Sequence, residues 1–415
     1  MGGPLAGVRV LDLSSVITGP FCTMLMADLG ADVIRIEAPV GDILRRLSLT
    51  FKAGFGSWFV NFNRNKRSLV LDLKQPAARD TLLEMVKHSD VFVQNLRPGV
   101  IERLGLDYPT VRAQNPKMVY LSISGFGPEG PYAHKPVYDP VIQGMSGLAF
   151  VQGGDGRPTF LRTAIADKMT SMNAIYHVLA ALVAAERHGI GQEIKLSMID
   201  SLLSFLAPDT MFGYTFVPDD EYRHLSIANA LVQPMRTQDG YIVACAATDD
   251  QWQRMCRAMG KPEWITTYAT PAVRAVSLPE ILAAIDEFLP QKTSREWLAI
   301  FEAADVPCGP VYTFDEALRD PQLLLNQTFV EYEHPMAGRI RGVNVPGKFS
   351  ETAPQMRHHA PGLGEHTIEI LQEFGLSQPQ IATMLDTGVV IQEPQGEQNL
   401  KSKATVSSPE FDHRE

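Results

Sequence analysis

Cysteine is scarce in this chain. Cys22, Cys245, Cys256 and Cys308 are scattered over 415 residues, and none forms a CxxC or metal-ligand pair. That excludes a disulfide framework, predicts no metal site, and fits a reducing compartment. Long apolar runs are also missing. The longest, near Ala174–Ala185, is interrupted by His177 and falls short of the roughly 20 residues that span a bilayer, so no membrane association is expected. The opening Met1-Gly2-Gly3-Pro4-Leu5-Ala6 has no signal-peptide pattern and no Ser or Thr at position six to favour myristoylation, and a cytoplasmic location is expected. Positive charge is in deficit: 37 Lys and Arg against 47 Asp and Glu give a formal net charge of −10. Nucleic acid is therefore not an expected partner, although a local basic pocket for an anionic ligand remains compatible with this balance.

What is present is an alternation of strand-like and helix-like segments. Val8–Leu13 reads as a strand, Ser14–Gly19 as a loop, and Pro20 as the first residue of a helix running to Leu29. Gly30 stops that helix, and Ala31–Glu37 is the next strand. Ser68–Leu73, Val91–Leu96, Met118–Ser124 and Gln192–Met198 continue the strand series, with a helix at Pro76–His88. The pattern predicts an α/β fold with a Rossmann-like, doubly wound parallel sheet. No GxGxxG follows the first strand, which disfavours a dinucleotide-dependent dehydrogenase.

The character changes after about residue 215. Tyr241–Ala247 is strand-like, and Gln251–Met259, Pro279–Leu289 and Ser294–Ala304 are amphipathic helices. A large domain over 1–215 with 330–391 and a smaller α+β domain over 226–325 are expected. The returning segment carries strands at Phe329–His334 and Ile340–Val345 and a helix at Gly364–Phe374. The polar stretch 392–415 is expected to be disordered.

Asp167 stands at the start of a long run of small and apolar residues, Ala174-Ile175-Tyr176-His177-Val178-Leu179-Ala180-Ala181-Leu182. By itself an aspartate there is most often a helix cap. Its company gives it weight. The run Asn63-Arg64-Asn65-Lys66-Arg67-Ser68-Leu69-Val70-Leu71-Asp72-Leu73-Lys74 reads as a basic loop feeding a buried strand, with Arg64, Lys66 and Arg67 at the surface. It resembles the NxNKRS…LDLK segment of the class III CoA-transferase, or CaiB/BaiF, family. Segments in matching order include Gly19-Pro20-Phe21-Cys22, Leu29-Gly30-Ala31-Asp32-Val33, Asn95-Leu96-Arg97-Pro98-Gly99, Ser124-Gly125-Phe126-Gly127-Pro128, Pro307-Cys308-Gly309-Pro310 and Leu363-Gly364-Glu365-His366.

The resemblance implies a Rossmann-like CoA-binding domain and an interlocked homodimer whose crossing segments fall near Val217–Asn229 and Ala304–Glu331. It implies Asp167 as nucleophile. Coenzyme A contacts fall on Val16 (through its backbone), Leu71, Lys74, Asn95, Leu96 and Arg103, and substrate contacts on Ile17, Tyr138 and Asp139. Lys and Arg suit the phosphates of CoA. Backbone N–H groups near the helix start are expected to hold the oxyanion. No permanently bound cofactor is implied: acyl-CoA enters as a substrate, with a small carboxylic acid as its partner. The implied reaction moves CoA from a donor such as succinyl-CoA to that acid, through an aspartyl anhydride and an aspartyl-CoA thioester.

Departures narrow the reading. Ile17 stands where members acting on formyl and oxalyl groups have Gln, Ala38 where Arg is frequent, and Pro136 where a Lys lies, with Lys135 one place earlier. No Gly-rich flap appears between Leu225 and Gly240, so small dioic substrates such as oxalate are not expected. A 2-methylacyl-CoA racemase of the same family is the alternative, but racemases use a His-Asp pair and an Asp followed by two glycines. Here the matching residues are Tyr138-Asp139 and Asp167-Lys168-Met169. A CoA-thioester binding protein would need no nucleophile at all.

Overall fold

The computed structural model describes residues 2–154, 156–211, 214–217 and 233–392. Most of the first expected crossing segment, much of the span between Leu225 and Gly240, and the tail from residue 393 lie outside the described residues. The described chain divides into two compact units, one of residues 1–208 with 330–415 and one of residues 209–329.

The first unit is built on a seven-stranded sheet. Its strands are β1 Arg9–Asp12, β2 Asp32–Glu37, β3 Lys66–Leu71, β4 Val91–Gln94, β5 Val119–Ser124, β6 Glu193–Ser197 and β7 Val390–Ile391. They lie in the order β7-β3-β2-β1-β4-β5-β6. The first six are parallel, in the 3-2-1-4-5-6 order of a dinucleotide-type doubly wound sheet. Only β7 runs antiparallel, pairing Val390 with Leu71. This short edge strand was not expected from the sequence, because two residues behind Gly388 leave no periodicity to read.

Alternation along the strands explains the layers. Val10, Val33, Val91, Val93, Val119 and Leu121 pack on one face with helix α1 (Thr18–Asp28) and the 24-residue helix α3 (Ile165–His188). Leu11, Ile34, Phe92 and Tyr120, one residue out of phase, pack on the other with the helix Pro76–Val86. Both faces are covered, so the strands carry apolar residues at successive positions rather than alternating with polar ones. The short helix α2 (Asp139–Met145) precedes α3, and Gly189 ends α3 in the left-handed conformation with its N–H on Ala185 O.

Helix α1 starts at Thr18, two residues before Pro20. The expected start at Pro20 is corrected for a simple reason: all N–H groups of a first helical turn lack intrahelical acceptors, so proline is tolerated anywhere in that turn. The expected helix from Gly364 likewise begins at Thr367, since Gly364 sits at φ 66.

Beneath the sheet's carboxyl edge lies a cluster of buried charges. Asp12 Oδ2 accepts from Thr23 Oγ1 at 2.6 Å, Lys66 Nζ at 3.0 Å and Arg35 Nη1 at 3.5 Å. Arg35 also pairs with Asp42 and lies 3.7 Å from Glu37, and Glu37 is clasped by Arg45 through two bonds of 2.9 and 2.7 Å. Lys66 is fully buried, and its three protons go to Asp12, to Pro20 O at 2.8 Å and to Asn63 Oδ1 at 2.9 Å. Arg64 grips Asp28 at 2.7 Å, and Arg67 joins Asp32, Glu369 and Glu373. The expected surface loop is thus an internal cross-brace. Its counter-charges come from distant strands and helices that local sequence does not reveal.

Residues 209–329 form a small unit around a three-stranded antiparallel sheet of Met235–Arg236, Tyr241–Ala244 and Cys308–Pro310. Trp252, Trp264, Trp297 and Phe301 fill its core. Helices Asp249–Ala258 and Ser294–Ala303 open on capping boxes, Thr248 with Gln251 and Thr293 with Glu296.

The charge cluster gives the fold an acid limit. Burial raises the Glu37 carboxyl, but Arg45 and then Arg35 overcome it and hold the group at about 2, against an ordinary 4.5. Its contribution is therefore complete above about pH 4.5 and is lost as the pH falls towards 2; the difference corresponds to about 3 kcal/mol. Urea unfolding of Glu37→Gln is expected to show lower stability at pH 7 and a shallower decline between pH 4.5 and pH 2 than the native chain. An unchanged pH slope would remove Glu37 from this role.

Candidate active site

In this strand order β1 and β4 are neighbours, and the chain leaves them towards opposite halves of the sheet, which opens a crevice at their carboxyl ends. The loop after β1 carries Ser14 to Ile17. Asn95, just after β4, fastens it like a strand partner: Asn95 Oδ1 accepts from Ser15 N and Asn95 Nδ2 donates to Ser15 O, each at 2.8 Å. Val16 is forced to φ 66, a left-handed conformation unfavourable for a β-branched residue, which costs of order 1–3 kcal/mol. The loop is held there by the buried charges, because Val16 N donates to Asp42 Oδ2 at 2.9 Å, the same oxygen that meets Arg35. Gly19 permits the turn into α1, since a Cβ there would lie 2.1 Å from that of Ser14.

A cavity of about 290 Å³ opens over this crevice. Ser15, Val16, Thr18, Asn95, Leu96 and Arg97 line one part, and Gly125, Lys135, Val137, Tyr138, Asp167 and Met198 another. Gly125 is a necessity of packing: a Cβ would fall 2.3 Å from Val137 Cγ1.

Asp167 occupies the first turn of α3 and is held at three points. Its N–H and that of Ala166 donate to Asp139 Oδ2, at 3.2 and 2.7 Å. Its carbonyl lies 2.8 Å from Ser171 Oγ, which also meets Thr18 O at 2.6 Å. Its side-chain Oδ1 accepts a hydrogen bond from Thr18 Oγ1. Oδ2 accepts none among the described residues. Burial, with the neighbouring Asp139 charge, pushes the Asp167 carboxyl up to about 6, while the Thr18 hydroxyl works in the opposite direction. The result is a half-buried carboxylate that is ionised at neutral pH, with one oxygen fixed and one open.

Of the residues singled out in the sequence, the structure brings Val16, Asn95, Leu96, Tyr138 and Asp167 to one cavity. Others sit elsewhere. Lys74 and Arg103 are exposed beyond the carboxyl ends of β3 and β4, outside the cavity lining. Leu71 is fully buried in β3, so its side chain serves the core. Ile17 is buried with Leu44, Phe55 and Phe59, and its side chain is a core element instead of a substrate contact. Asp139 is turned inward as well: its oxygens take Gln143 Nε2 at 2.5 Å and the two N–H groups at the start of α3. It acts as the cap of that helix. Those donors are consumed, which corrects the expectation that they receive an oxyanion. Sequence reasoning passed over Thr18, Arg97 and Lys135 as site residues. Arg97 was accessible from its place beside Asn95 and Leu96, but nothing local pairs Thr18 with a carboxylate 149 residues away.

The fold and the sequence have counterparts among known proteins. The family model described as CoA-transferase family III matches residues 5–367. A formyl-CoA:oxalate CoA-transferase of Rhodopseudomonas palustris is 35% identical over 419 residues, covering 93% of this chain and 97% of its own. An acyl-CoA transferase of Fusarium pseudograminearum is 32% identical, covering 94% and 88%. Among solved structures, a CaiB/BaiF family protein from Brucella suis superposes with a TM-score of 0.79 at 28% identity, covering 90% of this chain and all of that one. With a matching sheet and a matching sequence over most of its length, the chain belongs to CoA-transferase family III.

Proposed function

We propose that this CoA-transferase moves CoA from an acyl-CoA donor such as succinyl-CoA to a free carboxylic acid, and that Asp167 carries the group between them. The observation that supports this is a carboxylate with one fixed and one open oxygen, lining a cavity at the switch point of the sheet. Asp167 Oδ2 attacks the thioester carbonyl carbon, the C–S bond breaks, and a mixed anhydride and CoA thiolate result. The thiolate then attacks Asp167 Cγ, the donor acid leaves with Oδ2, and an aspartyl-CoA thioester remains. The acceptor acid runs the same steps in reverse. Covalent catalysis of this kind divides one difficult exchange into two similar halves and needs no ATP. The racemase alternative lacks support, because no histidine among the described residues lines the cavity and Asp139 is spent on the helix cap.

Coenzyme A would enter along the carboxyl ends of the strands, with Val16 and Leu96 near the thioester and Lys74 and Arg103 on its phosphates. Replacing Lys74 or Arg103 by Ala is expected to raise KM for the acyl-CoA about tenfold with kcat nearly unchanged, the signature of lost uniform binding. Steady-state kinetics with unaltered KM in both variants would sink this assignment.

A second copy of the chain is the partner we infer. Met172, Tyr176 and Val183 are exposed on one face of α3, an apolar stripe that a helix in water normally covers. The interlocked arrangement implied by the family resemblance would make the dimer inseparable without unfolding. Sedimentation is expected to show a dimer at nanomolar concentration; a folded monomer there would overturn it.

For the nucleophile, Asp167→Asn keeps shape but removes the anionic oxygen. Exchange between succinyl-CoA and a panel of acids, oxalate being expected as a poor acceptor, should fall by a factor on the order of 10⁴ or more while acyl-CoA still binds. In the native protein, an acceptor labelled with ¹⁸O in its carboxylate should leave label on the Asp167 peptide, because the bridging oxygen stays with the enzyme when thiolate attacks the acceptor's acyl carbon. Label on another residue, or normal exchange by the Asn variant, would refute the mechanism.

A further inference from the structure

Asp167 has two oxygens with different surroundings, and the difference bears on which step each serves. Oδ2 is open and is the oxygen that forms the anhydride. Oδ1 accepts the Thr18 hydroxyl and keeps its place as the carbonyl oxygen on Cγ in both the anhydride and the thioester. Thr18 is 3% exposed, begins α1, and has its carbonyl tied to Ser171 Oγ at 2.6 Å; Ser171 Oγ also meets Asp167 O. Hydroxyl and carboxylate are therefore fixed on each other through the contact between α1 and α3. The main-chain donors at the start of α3 are unavailable, because Asp139 has taken them.

We propose that Thr18 is a catalytic residue whose hydroxyl stabilises the oxyanion on Asp167 Oδ1 each time a nucleophile attacks Asp167 Cγ. The inference rests on the exchange mechanism above. When CoA thiolate adds to Cγ of the anhydride, the Cγ–Oδ1 double bond opens and its electron pair goes to Oδ1. The Thr18 proton already points there. Collapse returns the pair, breaks the bond from Cγ to Oδ2, and releases the donor carboxylate, so no proton is gained or lost. The acceptor carboxylate attacks the aspartyl-CoA thioester at the same carbon and uses the same donor, with thiolate leaving. Attack at the acyl carbon of the substrate places its oxyanion on the substrate's own oxygen, out of reach of this hydroxyl's bond to Oδ1. Thr18 thus acts on the two inner steps of the exchange and not on the two outer ones.

Loss of one such preorganised donor costs about a hundredfold in other acyl-transfer sites. Thr18→Val keeps the shape and removes the donor, and Thr18→Ser keeps the donor. In the full-length protein with succinyl-CoA and a labelled acceptor, acyl transfer by Thr18→Val is expected to fall about a hundredfold. Hydrolysis of the anhydride by water at the acyl carbon needs no chemistry at Cγ and should persist. The ratio of hydrolysis to transfer, read from ¹⁸O entering the released acid from labelled water, should therefore rise steeply in Thr18→Val and stay native in Thr18→Ser. The acid limb of the transfer rate should also move to higher pH in Thr18→Val, because a hydrogen bond to the ionised carboxylate has been removed. A merely structural role would lower transfer and hydrolysis in equal proportion, and that outcome overturns the proposal. So does full transfer by Thr18→Val. If the native protein never forms the Asp167 thioester, the exchange mechanism itself fails, a result distinguishable because it does not involve the variants.

Discussion

The Asp12 carboxylate is the point on which the site's geometry depends. It ends β1 at the sheet's carboxyl edge and receives Ser14 from the loop, Thr23 from α1, Arg35 from β2 and Lys66 from β3. A charge this deeply buried is tolerable only with close partners, since the desolvation penalty is several kcal/mol per ion. Every element that supplies a partner must therefore arrive in register. Arg35 passes the constraint to Asp42, and Asp42 holds the N–H of Val16. A valine in a left-handed conformation persists because this chain of contacts over-determines it. Lys66 shows what the arrangement costs: burial and the nearby Arg35 charge bring its ammonium down to about 8, with Asp12 opposing the shift.

Asp139 plays a comparable part on the other wall. Capping α3 with a carboxylate fixes the backbone of Asp167 and places a second negative charge behind it. The same bonds withdraw the helix N-terminus from any ligand, so stabilisation of charge within the cavity falls to side chains. An exposed helix start would have offered a ready anion site. Here the helix start positions the Asp167 carboxylate instead.

The sheet was legible in the sequence because each strand announces itself locally. Val10-Leu11 and Val91-Phe92-Val93 are apolar at successive positions and are bounded by polar turns, which is enough to place a two-sided strand. Asp167 was legible through its setting at a helix start and through resemblance. What escaped was fixed by distant partners. Arg64, Lys66 and Arg67 form a basic run that looks solvated until Asp28, Asp12 and Asp32 meet them from other elements. Ile17 stands beside the cavity in sequence, yet its side chain points into a cluster with Phe55 and Phe59, which belong to a later excursion of the chain. Thr18 is of the same kind. Its hydroxyl has meaning only because α1 and α3 cross on one face of the sheet, and no periodicity within either helix encodes that crossing.

Burial sets the basicity of Asp167. It is the largest cause of the rise of the carboxyl to about 6, which leaves roughly ten ionised groups for each neutral one at pH 7. A carboxylate of raised basicity is a better nucleophile than one held low by cations, and among the described residues Oδ1 meets a neutral hydroxyl and no Lys or Arg. Placing a guanidinium beside Asp167 would stabilise its charge in the resting state most of all, and would thereby raise the barrier to attack. In the proposed exchange, a neutral donor on the oxygen where charge concentrates during attack at Cγ would favour the transition state more than the resting carboxylate, whose charge is shared between two oxygens. That difference between ground and transition states is what lowers a barrier.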